Sequence, residues 1–339
     1  MINETQTEAA KPLISRDRQL LYLSQADVIQ VGLTMAEVIE LVETAFREKG
    51  AGRYEMPPKP GIHPGGGDNF IHAMPAYIPA MQSAGLKWVS GYPGNSRRGL
   101  PYITGLLILN DPDTGLPLAI MDCVWITAMR TAAATAVAAR RLARTESSRL
   151  GVLGCGVQGQ TNTEALNVLF PLKQVFAYDT RPEAAESFAA DISSRFGLEA
   201  IPVQTPREAV AGCDLVVTAG PIVKKPHATI AAGWLEEGAF ASLVDFDSYW
   251  HPAALKEAAK FCTDDVPQFN HYREIGYFQD VPPIYADLGE LVAGIKPGRE
   301  NPTERTIACN LGVALDDMAV APAIYRRAIA QNIGRHLPL

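Results

Sequence analysis

The sequence predicts an α/β protein in which a doubly wound parallel sheet is joined to a smaller α/β domain. Three observations carry this expectation. From residue 147 onward, short apolar runs alternate with helix-compatible segments, the rhythm of right-handed strand–helix–strand crossovers. The first of these runs, 150–153, leads into Gly154-Cys155-Gly156-Val157-Gln158-Gly159, which fits G-x-G-x-x-G. Before residue 147 the pattern differs. Strand-like runs at 70–74, 85–90 and 103–110 are followed by the turn Asn110-Asp111-Pro112-Asp113-Thr114-Gly115 and a partner strand at 116–122, as in an antiparallel sheet.

The glycine turn has a specific physical reading. Gly154 permits the tight turn, Gly156 lets backbone approach a pyrophosphate, and Gly159 lets helix pack on strand. The helix that follows offers free N–H groups to a phosphate. A second apolar run, 174–178, ends in Asp179, about 25 residues after Gly154 and near the spacing of a dinucleotide-binding unit. A Rossmann domain over 146–315 is therefore expected. A carboxylate at Asp179 accepts hydrogen bonds from ribose hydroxyls and repels a 2′-phosphate, which favours NAD over NADP. Arg181 is a solvated loop residue or softens that preference.

A chain of 339 residues is long enough for two domains. Its net charge of −7 argues against a nucleic acid or anionic membrane as partner. No apolar run approaches the roughly 20 residues needed to span a bilayer. Residues 1–20 are expected to form a flexible polar arm and lack the apolar stretch of a secretory signal. Cys123, Cys155, Cys213, Cys262 and Cys309 are odd in number and form no C-x-x-C pair, which predicts reduced, buried thiols and a cytoplasmic location. His72 and His227 lack partners at metal spacing, so no metal is expected.

In the first domain, Val38, Ile39, Leu41, Val42 and Phe46 share one face of a helix over 34–50. An Ala-rich helix is expected over 127–144. The second domain should hold strands at 150–153, 174–178, 200–203, 215–218, 239–244 and 260–263. Residues 302–331 suggest one long apolar helix that returns to the first domain, so that 21–145 is completed by 316–339.

Some charged residues sit where structure alone does not ask for them. Lys87 lies within the apolar strand Gly85-Leu86-Lys87-Trp88-Val89-Ser90. It is either at an edge or solvent-facing, or a cation held for an anion or carbonyl, and the loop after it suits a site rim. Arg130 is expected in the first turn of its helix, where the macrodipole disfavours a cation; a bidentate grip on a carboxylate explains it better. Asp245 and Asp247 fall at the carboxyl end of a parallel strand, where ligands of such sheets bind and where one carboxylate could serve as general base. Asp316 and Asp317 are adjacent, so they should not share one helix face, and one of them is expected to be structural.

Lys87 in G-L-K-W-V-S-G-Y-P-G-N, the following R-G-L-P, Arg130 in T-A-M-R-T-A-A-A-T-A and the turn G-C-G-V-Q-G together resemble the ornithine cyclodeaminase/mu-crystallin family, over roughly 20–335. The tract ending L-L-I-L-N and the phrase L-V-D-F-D-S-Y-W are most similar to the branch found in ectoine-utilisation operons. The resemblance implies an NAD(P)-binding Rossmann domain beside a smaller α/β domain that binds substrate and forms a homodimer. It places Lys87 and Arg130 on the substrate carboxylate, with Lys87 also catalytic. It places Gly154, Gly156, Val157, Gln158, Asp179 and Thr218 on the dinucleotide, and Asp247 on the catalytic aspartate. Lys59 stands where the family often has arginine, and Tyr102 where cyclodeaminases have threonine; both are expected to touch substrate, and Tyr102 could fill the space a long diamino acid needs.

The activity so implied is an NAD-dependent oxidoreductase acting at Cα of an α-amino acid or its imine. A second reading is a cyclodeaminase that turns a diamino acid into a cyclic imino acid with release of ammonia and catalytic NAD. A third, of another class, is a non-catalytic binder of NAD(P) or a small ligand.

Overall fold

The computed structural model describes residues 19–66 and 68–339. The expected flexible arm lies outside the described residues up to residue 18; its last two, Gln19 and Leu20, already belong to a strand.

The first domain is built from β1 (Gln19–Leu23), α1 (Gln25–Gln30), α2 (Met35–Gly50), β2 (Gly61–Ile62), β3 (Phe70–Ile78), β4 (Ser83–Gly91), β5 (Ile103–Asn110), β6 (Pro117–Asp122) and α3 (Val124–Leu142). The second carries β7 (Arg149–Leu153), α4 (Val157–Leu169), β8 (Gln174–Tyr178), α5 (Pro182–Phe196), β9 (Glu199–Pro202), α6 (Pro206–Val210), β10 (Leu215–Thr218), β11 (Phe240–Leu243), α7 (Pro252–Leu255), β12 (Lys260–Thr263), α8 (Val266–Glu274), β13 (Ala286–Asp287), α9 (Leu288–Val292) and β14 (Thr306–Cys309). The chain then returns to the first domain as α10 (Ala314–Gln331) and β15 (Arg335–Pro338).

Helix α2 starts where Thr34 and Glu37 form a reciprocal capping box. Its apolar stripe, Val38, Ile39, Val42 and Phe46, is fully buried. The seven-stranded sheet has the order β15-β1-β6-β5-β4-β3-β2 and is antiparallel except for the β1–β6 pair. The eight-stranded sheet has the order β13-β12-β14-β11-β10-β7-β8-β9 and is parallel throughout. Chain order reverses between β7 and β10, which opens a crevice at their carboxyl ends, the place where open α/β sheets bind ligands.

One expected element is wrong. Residues 302–331 are not a single helix, because Thr306–Cys309 is strand β14, paired in parallel with β11 on one side and β12 on the other. A short apolar run buried on both faces has no period that separates strand from helix. The gap between β11 and β12 decides the matter, and α10 begins only after Gly312 turns the chain with φ +72°.

Helix α3 ties the two domains together. It packs on α2 and α10 on one side and on α4, β11 and β14 on the other. Its small residues allow this: Ala132, Ala133, Ala134, Ala136, Ala138 and Ala139 are all buried. A helix buried on every face loses the polar stripe of a surface helix. A charged pin adds to the joint, because Lys49 of α2 pairs with Asp265 at 3.2 Å and with Asp287, the residues that cap α8 and α9. Beside it Gly50 packs against Gly289, and a Cβ on Gly50 would stand 2.2 Å from the Gly289 carbonyl oxygen. Gly50→Val should therefore cost about 1–3 kcal/mol by overpacking, seen as a lower midpoint in thermal unfolding; an unchanged midpoint would mean the joint can shift freely.

Candidate active site

A cavity of about 480 Å³ lies between the domains and is walled by both. Strand β4 delivers Lys87 from its inward face, with β3 and β5 on either side, so Lys87 is fully buried in mid-sheet. The edge or solvent-facing reading is thereby excluded. Its ammonium donates to Asp317 Oδ1 at 2.7 Å and to Thr127 Oγ1 at 3.3 Å. Arg130 lies further into its helix than expected, since α3 starts at Val124, and its guanidinium is held by the same carboxylate: Nε donates to Asp317 Oδ1 at 3.1 Å. Its Nη1 lies 3.5 Å from Asp316 Oδ2 but makes no hydrogen bond.

Adjacent aspartates were expected to face apart, one of them structural. Both instead meet the Arg130 guanidinium. They sit in the first turn of α10, where side chains splay over a wide arc and the macrodipole favours anions. Gly312 completes the arrangement, because a Cβ there would come within 2.5 Å of Arg130 Nη1.

Lys59 approaches from the loop before β2. Its ammonium donates to the carbonyls of Leu311 at 3.0 Å and Gly312 at 2.9 Å, and lies 5.3 Å from the Tyr272 ring centre. Asp264, at the end of β12, accepts from the Gly312 N–H at 2.7 Å. Three buried cations thus face three buried carboxylates. Burial, aided by Arg130, pulls the Lys59 and Lys87 pKa values down. Burial pushes Asp264 up and Asp316 well up. For Arg130 burial opposes the charge, but Asp317 and Asp316 outweigh it and its pKa rises. Burial thus opposes charge on both the lysines and the aspartates of the cluster, while Arg130 keeps its charge and has an unbonded Nη1.

The rest of the lining is mostly apolar, and Phe70, Val89 and Ile103 share the sheet face of Lys87. Tyr102 and Tyr277 belong to it as well, with Asp68 on the loop above. His72 stacks on Phe70 with ring centres 4.4 Å apart, and burial lowers it to about 3, so it stays neutral. Burial also raises the Tyr102 phenol to about 12.

At the carboxyl end of β11 the chain turns through Phe246, which takes φ +64° inside a cage of Tyr272, Tyr277 and Phe278. The turn separates two acids. Asp245 is fully committed: it accepts from Thr218 Oγ1 at 2.6 Å and from the Gly220 N–H at 2.8 Å. Thr218 is fully buried and also accepts from Trp250 Nε1, so its hydroxyl braces Asp245 from behind and does not line the cavity. Asp247 is 5% exposed, lies just outside the cavity lining, and burial raises its carboxyl to about 6.

The glycine turn joins β7 to α4 with the spacing a dinucleotide needs. Gly154 takes φ +100°, and a Cβ there would strike the Ala219 carbonyl oxygen at 2.6 Å. Gly156 has open space where a side chain would be, and no side chain caps α4. The N–H groups of that helix end, including those of Val157 and Gln158, remain for a ligand, and Gln158 also lines the cavity. Asp179 accepts from the Cys155 and Arg181 N–H groups, both at 3.0 Å. Arg181 Nε lies 3.6 Å from it, so this arginine is tied to the acid while its side chain stays largely exposed. The open cradle, bare helix end and ordered carboxylate fit a dinucleotide. No group of three or more His, Cys, Asp or Glu among the described residues could hold a metal. No helix among them is long and apolar enough to cross a membrane.

Asp317, Asp264 and Asn310 form part of this site and were not singled out as such. Asp264 ends a strand expected at 260–263, so the strand-end rule that found Asp247 could have found it. Asp317→Ala should leave two buried cations without their shared partner and destabilise the fold by about 3–5 kcal/mol; denaturant unfolding would measure this, and a loss below 1 kcal/mol would show the cations satisfied elsewhere.

The model of the ornithine cyclodeaminase/mu-crystallin family matches residues 20–332. An alanine dehydrogenase from Archaeoglobus fulgidus is 39% identical over 324 residues, covering 93% of this chain and 97% of that one. A Thermococcus litoralis Δ1-pyrroline-2-carboxylate reductase, solved with NADH and L-proline, superposes with a TM-score of 0.86 at 32% identity, covering 94% of this chain and 100% of the other. An archaeal alanine dehydrogenase dimer with bound NAD gives a TM-score of 0.84 at 37% identity, with 95% and 99% coverage. With the buried Lys87–Asp317–Arg130 cluster set against a dinucleotide-type sheet, this chain belongs to the ornithine cyclodeaminase/mu-crystallin family.

Proposed function

We propose that this protein is an NAD-dependent oxidoreductase acting at Cα of an α-amino acid or its imine. The observation that carries the reading is the Arg130 guanidinium, fixed by Asp317 yet with Nη1 unbonded, in a cavity also lined by Gln158 of the glycine turn. Arg130 and Lys87 grip the substrate carboxylate, a geometry the guanidinium fork suits. Lys59 adds a third cation at the same wall. Gly154, Gly156, Val157 and Gln158 take the pyrophosphate, and Asp179 takes the ribose hydroxyls and disfavours NADP. When bound, the nicotinamide supplies the hydride acceptor or donor. Asp247 holds or takes the proton at the substrate nitrogen, and the apolar wall excludes water. Five free, buried cysteines support a reducing, cytoplasmic setting.

The test is incubation with NAD and a panel of amino acids and diamino acids, following NADH absorbance and ammonia together. NADH accumulation is expected. Ammonia without NADH would make the protein a cyclodeaminase, and neither, with NAD bound, a non-catalytic binder. Asp247→Asn should lower kcat by about 10²–10⁴-fold while leaving NAD affinity unchanged. In the wild type, oxidation should fall as pH drops through about 6, because the carboxyl that must accept the proton becomes protonated; a profile flat from pH 5 to 8 would remove Asp247 from this role.

The same reading includes a homodimer formed on the outer face of the seven-stranded sheet. Trp88 and Leu106 lie opposite each other there, 45% and 46% exposed, while Lys87 and Leu107 point inward. A double substitution, Trp88→Glu with Leu106→Glu, should sediment as a monomer; a retained dimer would place the interface elsewhere.

A further inference from the structure

The turn that carries Asp247 is held in an unusual way. Among the described residues, four other than glycine take a left-handed backbone: Gln82, Phe246, Phe278 and Asn332. Gln82 and Asn332 cap helix ends, where that conformation is ordinary. Phe246 (φ +64°) and Phe278 (φ +54°) cap none, and they meet each other, with ring centres 5.0 Å apart. A bulky side chain in this region is strained, and glycine would serve the same turn at less cost. Strain of this kind persists only where the surroundings over-determine it, and it gathers at functional sites.

The surroundings of Phe246 do over-determine it. Before it, the Asp245 carboxylate is bound by Thr218 and by the Gly220 N–H. After it, Ser248 Oγ donates to the Asp245 carbonyl at 2.5 Å, and the Trp250 N–H donates to the Asp247 carbonyl at 3.2 Å. Phe246 itself is 2% exposed, with the Tyr272 ring centre 5.1 Å and the Tyr277 ring centre 5.7 Å away. A ring that only filled core space would need no strained backbone. The Asp247 carboxyl stands outside this bracing and is bonded by its own backbone N–H. Its direction is therefore set by the backbone of the turn.

We propose that Phe246 is a positioning residue for the reaction: its caged ring holds the left-handed turn that aims the Asp247 carboxyl at the substrate nitrogen. This assignment rests on the role given to Asp247 above. The cage also ties that acid to the cationic end of the cavity. Tyr272, which packs on Phe246, lies 5.3 Å from the Lys59 ammonium, and all three residues line the cavity. Acid and cation thus take their separation from one set of aromatic rings. A misplacement of about 1 Å between reacting groups can cost about 100-fold in rate, so a rigid link between them bears directly on turnover.

The experiment is steady-state kinetics of wild type, Phe246→Gly, Phe246→Leu and Phe278→Leu, with NAD and the amino acid of the panel that forms NADH fastest. Phe246→Gly removes the strain and the ring together. Its kcat should fall about 10–100-fold while KM for the amino acid stays near the wild-type value. Phe246→Leu keeps an apolar side chain in the cage and should recover most of that loss. Phe278 lies outside the cavity lining, so the fall in kcat expected for Phe278→Leu reaches the reaction through the cage. Calorimetric binding of ADP-ribose, expected unchanged in every variant, shows that each is folded. A kcat for Phe246→Gly within about two-fold of wild type overturns the proposal, as does a loss confined to KM. Should Phe246→Gly fail to bind ADP-ribose, Phe278→Leu decides, and an unchanged kcat there overturns the proposal. Full activity of Asp247→Asn in the same assay would instead remove the role of Asp247 beneath it.

Discussion

One carboxylate organises the site. Asp317 meets Lys87 from β4 and Arg130 from α3, so a single side chain on α10 fixes two cations that the sequence delivers from distant elements. Burying those cations without it would cost a large share of a domain's net stability. Asp317 also explains why the last helix must return to the first domain. α10 covers the inner face of β4, and the helix that buries the Lys87 ammonium also brings the carboxylate that pairs with it. The grip proposed for a substrate carboxylate would then be a by-product of solving a folding problem, since the geometry that satisfies the pair leaves Arg130 Nη1 without a hydrogen bond.

That grip matters only because the two domains hold a fixed relation. Helix α3 is common property: one face packs on α2 and α10, the other on the parallel sheet, where Thr135 and Ser242 hydroxyls lie 2.9 Å apart. The hydrophobic cluster around it runs from Leu21 to Leu215 without a break between domains. Lys49 with Asp265 and Asp287 closes the far side. Reacting groups placed on different domains gain from such rigidity, because small misplacements are expensive in rate.

Much of this was legible in the sequence, for identifiable reasons. The bounds 103–110, 174–178, 215–218 and 260–263 coincide with observed strands, because each is a short apolar run closed by a turn signal. The glycine turn and Asp179 announced the parallel sheet through steric needs that few other residues meet. Lys87 was visible because it breaks the local rule of burial; the dipole argument for Arg130 rested on a helix start at 127, and the helix begins at Val124. What was hidden was tertiary. Nothing local separates β14 from a helix, since only its two strand neighbours make it one. Asp317 looked like half of a redundant pair, because its partners lie some 190 to 230 residues away.

The cavity lining draws on two separate sets of residues. The cationic wall is locked into α3, α10 and the inner face of β4. The rest of the lining is supplied by Phe70, Tyr102, Ile103 and loop residues such as Asp68, none of which takes part in the Lys87–Asp317–Arg130 bonding. Selectivity and chemistry are therefore separable traits in this scaffold. A drift at Tyr102 or Phe70 can exchange one side chain for another while the reaction centre stays as it was, which gives the architecture a built-in route to new substrates.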